Sequence, residues 1–233
     1  MKILIIGASS GLGEQTTKIL SKKADVSALF LVSRSEDKLS TLKKEVESNG
    51  KICEFLSLDL ARVNEVETKL SAFLSDKELD VLFFNAGTLV NGRLVETNLS
   101  DIEKTFKINT LSFIESWKAV YPKIKNSSTP QVIVSGSMGG VQGSVKFPGL
   151  AAYSSSKSSL ASLCEVLAVE HEEENIIFNC LAFGAINTKM LQEAFPDYVC
   201  DVSPESMAEY VVNFMTGPRL FNGKVLPVSI TTP

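Results

Sequence analysis

The chain has 233 residues, of which 44% are hydrophobic and 21% charged, and a formal net charge of -4 at pH 7. That apolar share fills a substantial core and fits one large α/β domain or two small ones. The slight acidity argues against a general nucleic-acid surface, and no apolar run approaches the roughly 18 residues of a membrane span. Short apolar runs alternate with longer helical patterns. Lys2 to Ile6 predicts a buried strand, followed by a helix from about Gly11 to Lys22. Ser27 to Val32 predicts a second strand, and Glu36 to Ser48 a polar-faced helix with Leu39, Leu42 and Val46 at helical spacing. A third strand is expected over Ile52 to Leu58, a helix over Val63 to Leu74, and a fourth strand over Asp80 to Phe84. Leu99 to Ile124 reads as helical, in one or two pieces, and Val132 to Ser135 as a fifth strand. A long helix is predicted from Ala151 to about Glu172 and a sixth strand from Ile176 to Ala182. Ser203-Pro204 opens another helix, because proline suits a first turn. Lys224 to Val228 predicts the last strand. Strands apolar on both faces, alternating with helices, mean a parallel sheet covered on each side. No repeat, low-complexity tract or linker composition divides the chain, and Asn126 to Pro130, Gln142 to Gly149 and Lys189 to Val202 read as its loosest segments.

Several site classes are disfavoured at once. Cys53, Cys164, Cys180 and Cys200 form no C-x-x-C or metal-spaced cluster, which reads as four reduced thiols in a cytoplasmic protein. The only histidine, His171, nearly excludes a histidine-based triad or a multi-histidine zinc site, and no metal is expected. It lies in the acidic run Glu170 to Glu174 and reads as an exposed helix end. Ile3-Leu4-Ile5-Ile6 is too short for a secretory leader and runs straight into glycines.

Those glycines carry the first chemical signal. Gly7, Gly11 and Gly13, with Ser9, Ser10 and Leu12 between them, follow the first strand and open the first helix, the context a nucleotide-binding turn requires. Gly7 permits the tight turn, Gly11 lets the backbone approach a pyrophosphate, and Gly13 lets helix pack against strand. The helix N-terminus offers free N–H groups and partial positive charge to the phosphates. The second signal is Tyr153 with Lys157. At a spacing of four on a helix the two side chains share one face. A nearby ammonium favours the phenolate and so lowers the tyrosine pKa. A free tyrosine titrates near 10, so acid–base service near pH 7 needs a shift worth about 4 kcal/mol, of which one lysine would supply part and a bound cationic nicotinamide more.

The G-x-x-x-G-x-G turn, Leu58-Asp59-Leu60, Asn85-Ala86-Gly87, Asn109, Ser137, Tyr153 with Lys157, and Gly184-Ala-Ile-Asn-Thr188 occur in one order along the chain. In this the sequence resembles the short-chain dehydrogenase/reductase family in its compact branch, from about residue 1 to 190. The resemblance implies an α/β, Rossmann-like doubly wound parallel sheet of about seven strands with helices on both faces. It implies one catalytic and dinucleotide-binding domain over 1–233, with a short substrate lid around 188–203. It also implies that Tyr153 exchanges a proton with a substrate carbonyl oxygen and that Lys157 lowers its pKa and holds the nicotinamide ribose. Ser137 would hydrogen-bond the same oxygen, Ser135 being a rival that aligns less well. Asn109 would interrupt its helix and hold a water extending the proton relay. Asp59 would bind the adenine amino group, Asn85, Ala86 and Gly87 would line the adenine-ribose side, and Gly184, Ile186 and Thr188 would hold the carboxamide end. Read alone, Asn109 could cap a helix, and Asp59 and Asn85 could cap turns.

Where an acidic residue would select NAD, the end of the second strand has Ser33 and then Arg34, which suits the 2′-phosphate of NADP(H). Departures from the family pattern are Ile6 before the first glycine, Phe183 in place of proline before Gly184, a longer Ser137-to-Tyr153 loop, a short Thr188-to-Pro204 segment, and an ending, Val228 to Pro233, without the common acidic-glycine tail. Met138, Val141, Phe147, Leu150, Phe183, Met190 and Phe195 could make an apolar pocket or pack in the core. Phe113, Trp117, Val120 and Ile124 form one helical stripe, core or interface. The expected activity is NADP(H)-dependent interconversion of a small-molecule carbonyl and alcohol by a cytoplasmic homodimer or homotetramer. A non-catalytic NAD(P)-binding regulator of the same fold is the alternative, and an epimerase or dehydratase lacks room for its larger substrate domain.

Overall fold

The run Lys2–Ile6 forms the first strand, β1, and sends successive side chains to opposite layers. Leu4 and Ile6 join one core, Ile3 and Ile5 the other, and all four are fully buried. The computed structural model describes residues 1–230, and the end of the expected tail segment, residues 231–233, lies outside the described residues. In chain order the further elements are α1 (Gly11–Ser21), β2 (Ala28–Ser33), α2 (Glu36–Ser48), β3 (Ile52–Ser57), α3 (Val63–Phe73), β4 (Val81–Phe84), α4 (Leu99–Phe106) and α5 (Ser112–Ile124). They continue with β5 (Gln131–Ser137), α6 (Ala151–Glu170), β6 (Ile177–Phe183), α7 (Lys189–Ala194), α8 (Pro204–Thr216) and β7 (Lys224–Val228).

All seven strands pair in parallel in the order β3-β2-β1-β4-β5-β6-β7. The order reverses between β1 and β4, where a doubly wound sheet opens a crevice beyond the carboxyl ends of its strands. Val66 and Leu70 of α3, Phe113 and Trp117 of α5, and Leu160 and Cys164 of α6 fill one layer. Leu12 and Leu20 of α1, Leu39 and Val46 of α2, and Met207 and Val211 of α8 fill the other. The sheet is therefore buried on both faces, as strands with no polar side require. Adjacent Phe83 and Phe84 of β4 are both fully buried, one in each layer, and Phe84 meets Phe113 edge-on at 5.2 Å. Each such ring contributes about 1.5–3 kcal/mol by leaving water.

Four local features differ from or refine the sequence reading. The helical stretch from Leu99 is broken by one π turn over Lys107–Leu111, and the stripe Phe113, Trp117, Val120 and Ile124 belongs to the core. β5 runs on to Ser137 because Gly136 and Ser137 still pair with Ala182 and Phe183 of β6. The segment after Thr188 is ordered by α7, with Thr188 Oγ1 accepting from Leu191 N at 3.3 Å. His171 is not an exposed helix end. Its ring stacks on Phe178 (5.7 Å), lies 5.1 Å from Trp117, and its Nδ1 is 2.5 Å from Glu174 Oε2. The aromatic neighbours come from α5 and β6, which the polar run around it could not reveal. Among the described residues no helix is long and apolar enough to cross a membrane.

Candidate functional site

The glycine turn joins β1 to α1. Gly7 has φ +90, and a Cβ there would meet Ala86 N at 2.6 Å, so glycine is required by both conformation and space. A Cβ on Gly13 would fall 2.1 Å from Gly7 O, so this glycine lets α1 start directly against the turn. Ser10, the residue before α1, makes no side-chain cap, which leaves the first N–H groups of the helix available to an anion. Asn85 braces the turn from β4: its Nδ2 donates to Gly7 O at 3.1 Å and its Oδ1 accepts from Ser135 Oγ at 2.9 Å.

This turn opens a cleft of about 840 Å³. Of the residues expected from the sequence, Gly7, Ser9, Ser10, Gly11, Leu12, Arg34, Asp59, Asn85, Ala86, Gly87, Ser137, Tyr153, Lys157, Gly184, Ile186 and Thr188 all line it. Gly13 and Asn109 stand behind the wall.

Tyr153 sits in the first turn of α6 and Lys157 one turn later, facing the end of β5. The phenol faces the Ser137 hydroxyl, whose oxygen accepts from Gly139 N at 3.2 Å. Ser135 uses its hydroxyl on Asn85, so the two candidate serines have different partners. Lys157 is buried, its Nζ donating to Ser135 O at 2.7 Å. Burial pushes its pKa down to about 8, with a small opposing pull from the neighbouring Cys180 thiol. The phenol departs from the sequence expectation. Burial raises its pKa above the ordinary value, and the neighbouring Ser137 hydroxyl opposes that shift in part. Desolvation raises it because loss of water penalises the phenolate directly.

Asn109 interrupts its helical stretch, as expected. It is fully buried in the π turn; Oδ1 accepts from Thr88 N at 2.8 Å, and Nδ2 donates to Thr88 O and to Ser156 Oγ, each at 2.9 Å. The amide is thus engaged in tying the strand-β4 exit to α6. Asp59 caps its turn, Oδ1 accepting from Ala61 N at 3.1 Å, while still lining the cleft. Thr188 caps α7, and its methyl lies against Gly11.

At the β2 end of the cleft Ser33 is buried, with an Oγ that has no hydrogen-bond partner among the described residues. Arg34, just before α2, and Lys38, in its first turn, line the cleft beside it. An orphaned hydroxyl flanked by two cations suits a phosphate ester, and the glycine turn suits a pyrophosphate, so the residues present fit a nicotinamide dinucleotide. Sequence reasoning named Arg34 and missed Lys38, although its spacing of four from Arg34 was readable. At the opposite end the lining is apolar. Met138, Phe147, Leu150, Phe183, Met190 and Phe195 appear as expected, joined by Leu89, Leu191 and Tyr198; Val141 does not line the cleft.

Comparison with known proteins agrees with this geometry. The chain is 29% identical to an uncharacterized oxidoreductase of Listeria innocua, covering 99% of this chain and 96% of that one. It is likewise 29% identical to one of Listeria monocytogenes over 82% of this chain and 76% of the other. A Thermococcus sibiricus alcohol dehydrogenase complexed with 5-hydroxy-NADP superposes with a TM-score of 0.84 at 24% identity, covering 100% and 97% of the two chains. A Burkholderia cenocepacia short chain dehydrogenase in complex with NADP gives 0.85 at 23% identity over 98% and 96%. The short chain dehydrogenase family itself matches residues 1–199. A glycine turn at the sheet's reversal point, a tyrosine and lysine one helical turn apart at its floor, and a family match across most of the sequence converge, and the chain belongs to the short-chain dehydrogenase/reductase family of oxidoreductases.

Proposed function

We propose that this enzyme reduces a small-molecule carbonyl to an alcohol with NADPH. One observation carries the reading: the Ser137 and Tyr153 hydroxyls lie together at the floor of the cleft, with the buried Lys157 ammonium one turn further along α6. The nicotinamide, when bound, supplies hydride chemistry. The chain's own residues supply the rest. Ser137 donates to the carbonyl oxygen and polarises it. Tyr153, protonated at neutral pH, holds its proton on Oη until the oxygen becomes basic and then releases it there. Lys157, with a pKa near 8, is mostly a cation at pH 7 and stabilises the phenolate left behind. Asn109 acts by holding Thr88 and Ser156 in place around this group.

The preference for NADPH rests on Ser33, Arg34 and Lys38 at the β2 end. The segment 188–203, containing α7, is the substrate lid in this reading. The test is Tyr153→Phe assayed against ketones, aldehydes and quinones. Turnover should fall about 10²–10⁴-fold while NADPH affinity stays within about threefold. Undiminished turnover would refute the assignment, and tight NADPH binding by the unaltered enzyme without oxidation of NADPH by any of these substrates would favour a regulator.

A further inference from the structure

Resting on the reductase reading, we propose that the substrate is a carbonyl compound with an extended, uncharged apolar tail, such as a medium-chain alkyl or an aryl ketone. Outward from Ser137 and Tyr153, the cleft is walled by Leu89, Met138, Phe147, Leu150, Phe195 and Tyr198. These come from four separate segments: the exit of β4, the turn after β5, the approach to α6, and the segment after β6. Core packing would explain one or two of them. It does not explain Phe147 and Tyr198, which line the cleft yet remain 51% and 52% exposed. Large rings left half in water around a polar pair are covered when an apolar body enters.

The charged groups point the same way. Arg34, Lys38 and Asp59 line the β2 end, and Lys157 lies buried at the floor. At the apolar end the charged lining residue is Lys189, whose side chain is 86% exposed and paired with Glu193 at 3.5 Å. Lys146 precedes Phe147 but donates to Gly139 O, Val141 O and Ser144 Oγ. A carboxylate tail would therefore be desolvated among these walls without a counter-charge of its own. The walls are also fixed relative to one another. Asn91 Nδ2 donates to Ala194 O at 2.7 Å and Gly92 N to Gly149 O at 3.0 Å, tying the β4 exit to α7 and to the approach to α6. A preformed apolar slot gains affinity with each methylene it covers.

The experiment measures kcat/KM with NADPH for methyl ketones from 2-butanone to 2-decanone, and for oxo acids of matched length that have the same methyl ketone at one end and a carboxylate at the far end of the chain. The value should rise about fourfold per methylene until the slot is filled, and the oxo acids should fall roughly 100-fold below ketones of equal length. Phe147→Ser should flatten the slope, chiefly through KM, and Phe147→Leu should restore most of it. In parallel, thermal shifts with 1-alkanols of increasing length, at saturating NADP, read the slot without chemistry. A flat chain-length profile with turnover intact, or a preference for the oxo acids, overturns the proposal. Length-dependent stabilisation without any turnover upholds the slot and removes the reductase reading instead, and the absence of both responses removes both.

Discussion

A lysine 4% exposed holds its proton less tightly than one in water, and for Lys157 the same burial that tunes the site also costs the fold. Below about pH 8 the folded enzyme carries a desolvated cation. Between about 8 and the ordinary value of 10.5 the unfolded chain is protonated while the folded chain is not. The unfolded state then binds more protons, so this group's contribution to stability rises with pH through that window. The interval corresponds to about 3 kcal/mol. Lys157→Met removes the ionisation and also the bond to Ser135 O, but the loss of that bond is nearly independent of pH. Urea unfolding of both proteins should therefore show the stability of wild type relative to the variant increasing by about 2–3 kcal/mol from pH 7 to pH 10. Cys180, pushed up to about 12 by burial, stays a thiol across most of that range. A gap that does not change with pH would mean that Lys157 is not held as a penalised cation.

The turn from β2 into α2 is where cofactor choice is argued. A buried hydroxyl without a partner, Ser33 Oγ, sits beside two cleft-lining cations that have no carboxylate in an ion pair among the described residues. Each charge-assisted bond to a 2′-phosphate is worth about 1.5–3 kcal/mol. Arg34→Ala and Lys38→Ala should each weaken NADPH binding about 10–100-fold, read by fluorescence titration, and leave NADH within about threefold. Equal losses for the two cofactors would place these side chains elsewhere, for example on the shared adenine. This turn also marks what sequence can convey. The strands announce themselves as apolar runs, and the glycine turn and the Tyr153–Lys157 pair depend on spacing along a single element, so all were readable. The direction of the phenol's pKa was not, because burial is supplied by neighbours distant in sequence. The partners of the Asn109 amide were hidden for the same reason: it is spent on Thr88 and Ser156, 21 and 47 residues away. α7 has only six residues and begins with a cap rather than an apolar stripe, so its pattern gives no helical period.

Closure of the cleft belongs to the whole molecule, since no one element contains it. Residues 91, 149 and 194 lie on three connections that the parallel sheet brings to the same carboxyl edge. There Asn91 bridges 103 positions to Ala194, while Gly92 bonds Gly149, whose φ of +86 lets the chain pass close to the Asn91 side chain. The Asn91 bond is exposed, so its removal should cost global stability only about 0.5–1.5 kcal/mol. Its local effect should be larger, because α7 has few other ties: none of its residues is buried. A short helix held mainly at its ends opens on a free-energy scale well below that of global unfolding. Asn91→Ala should therefore accelerate amide exchange across residues 189–195 several-fold while leaving β4, β5 and α6 protected, and should raise substrate KM more than it lowers kcat. If exchange in α7 is unchanged, the segment is held by its packing against the cleft walls and not by the bridge. The apolar slot would then be preformed without Asn91, and its dimensions would be set by Phe195 and Tyr198 alone on that side.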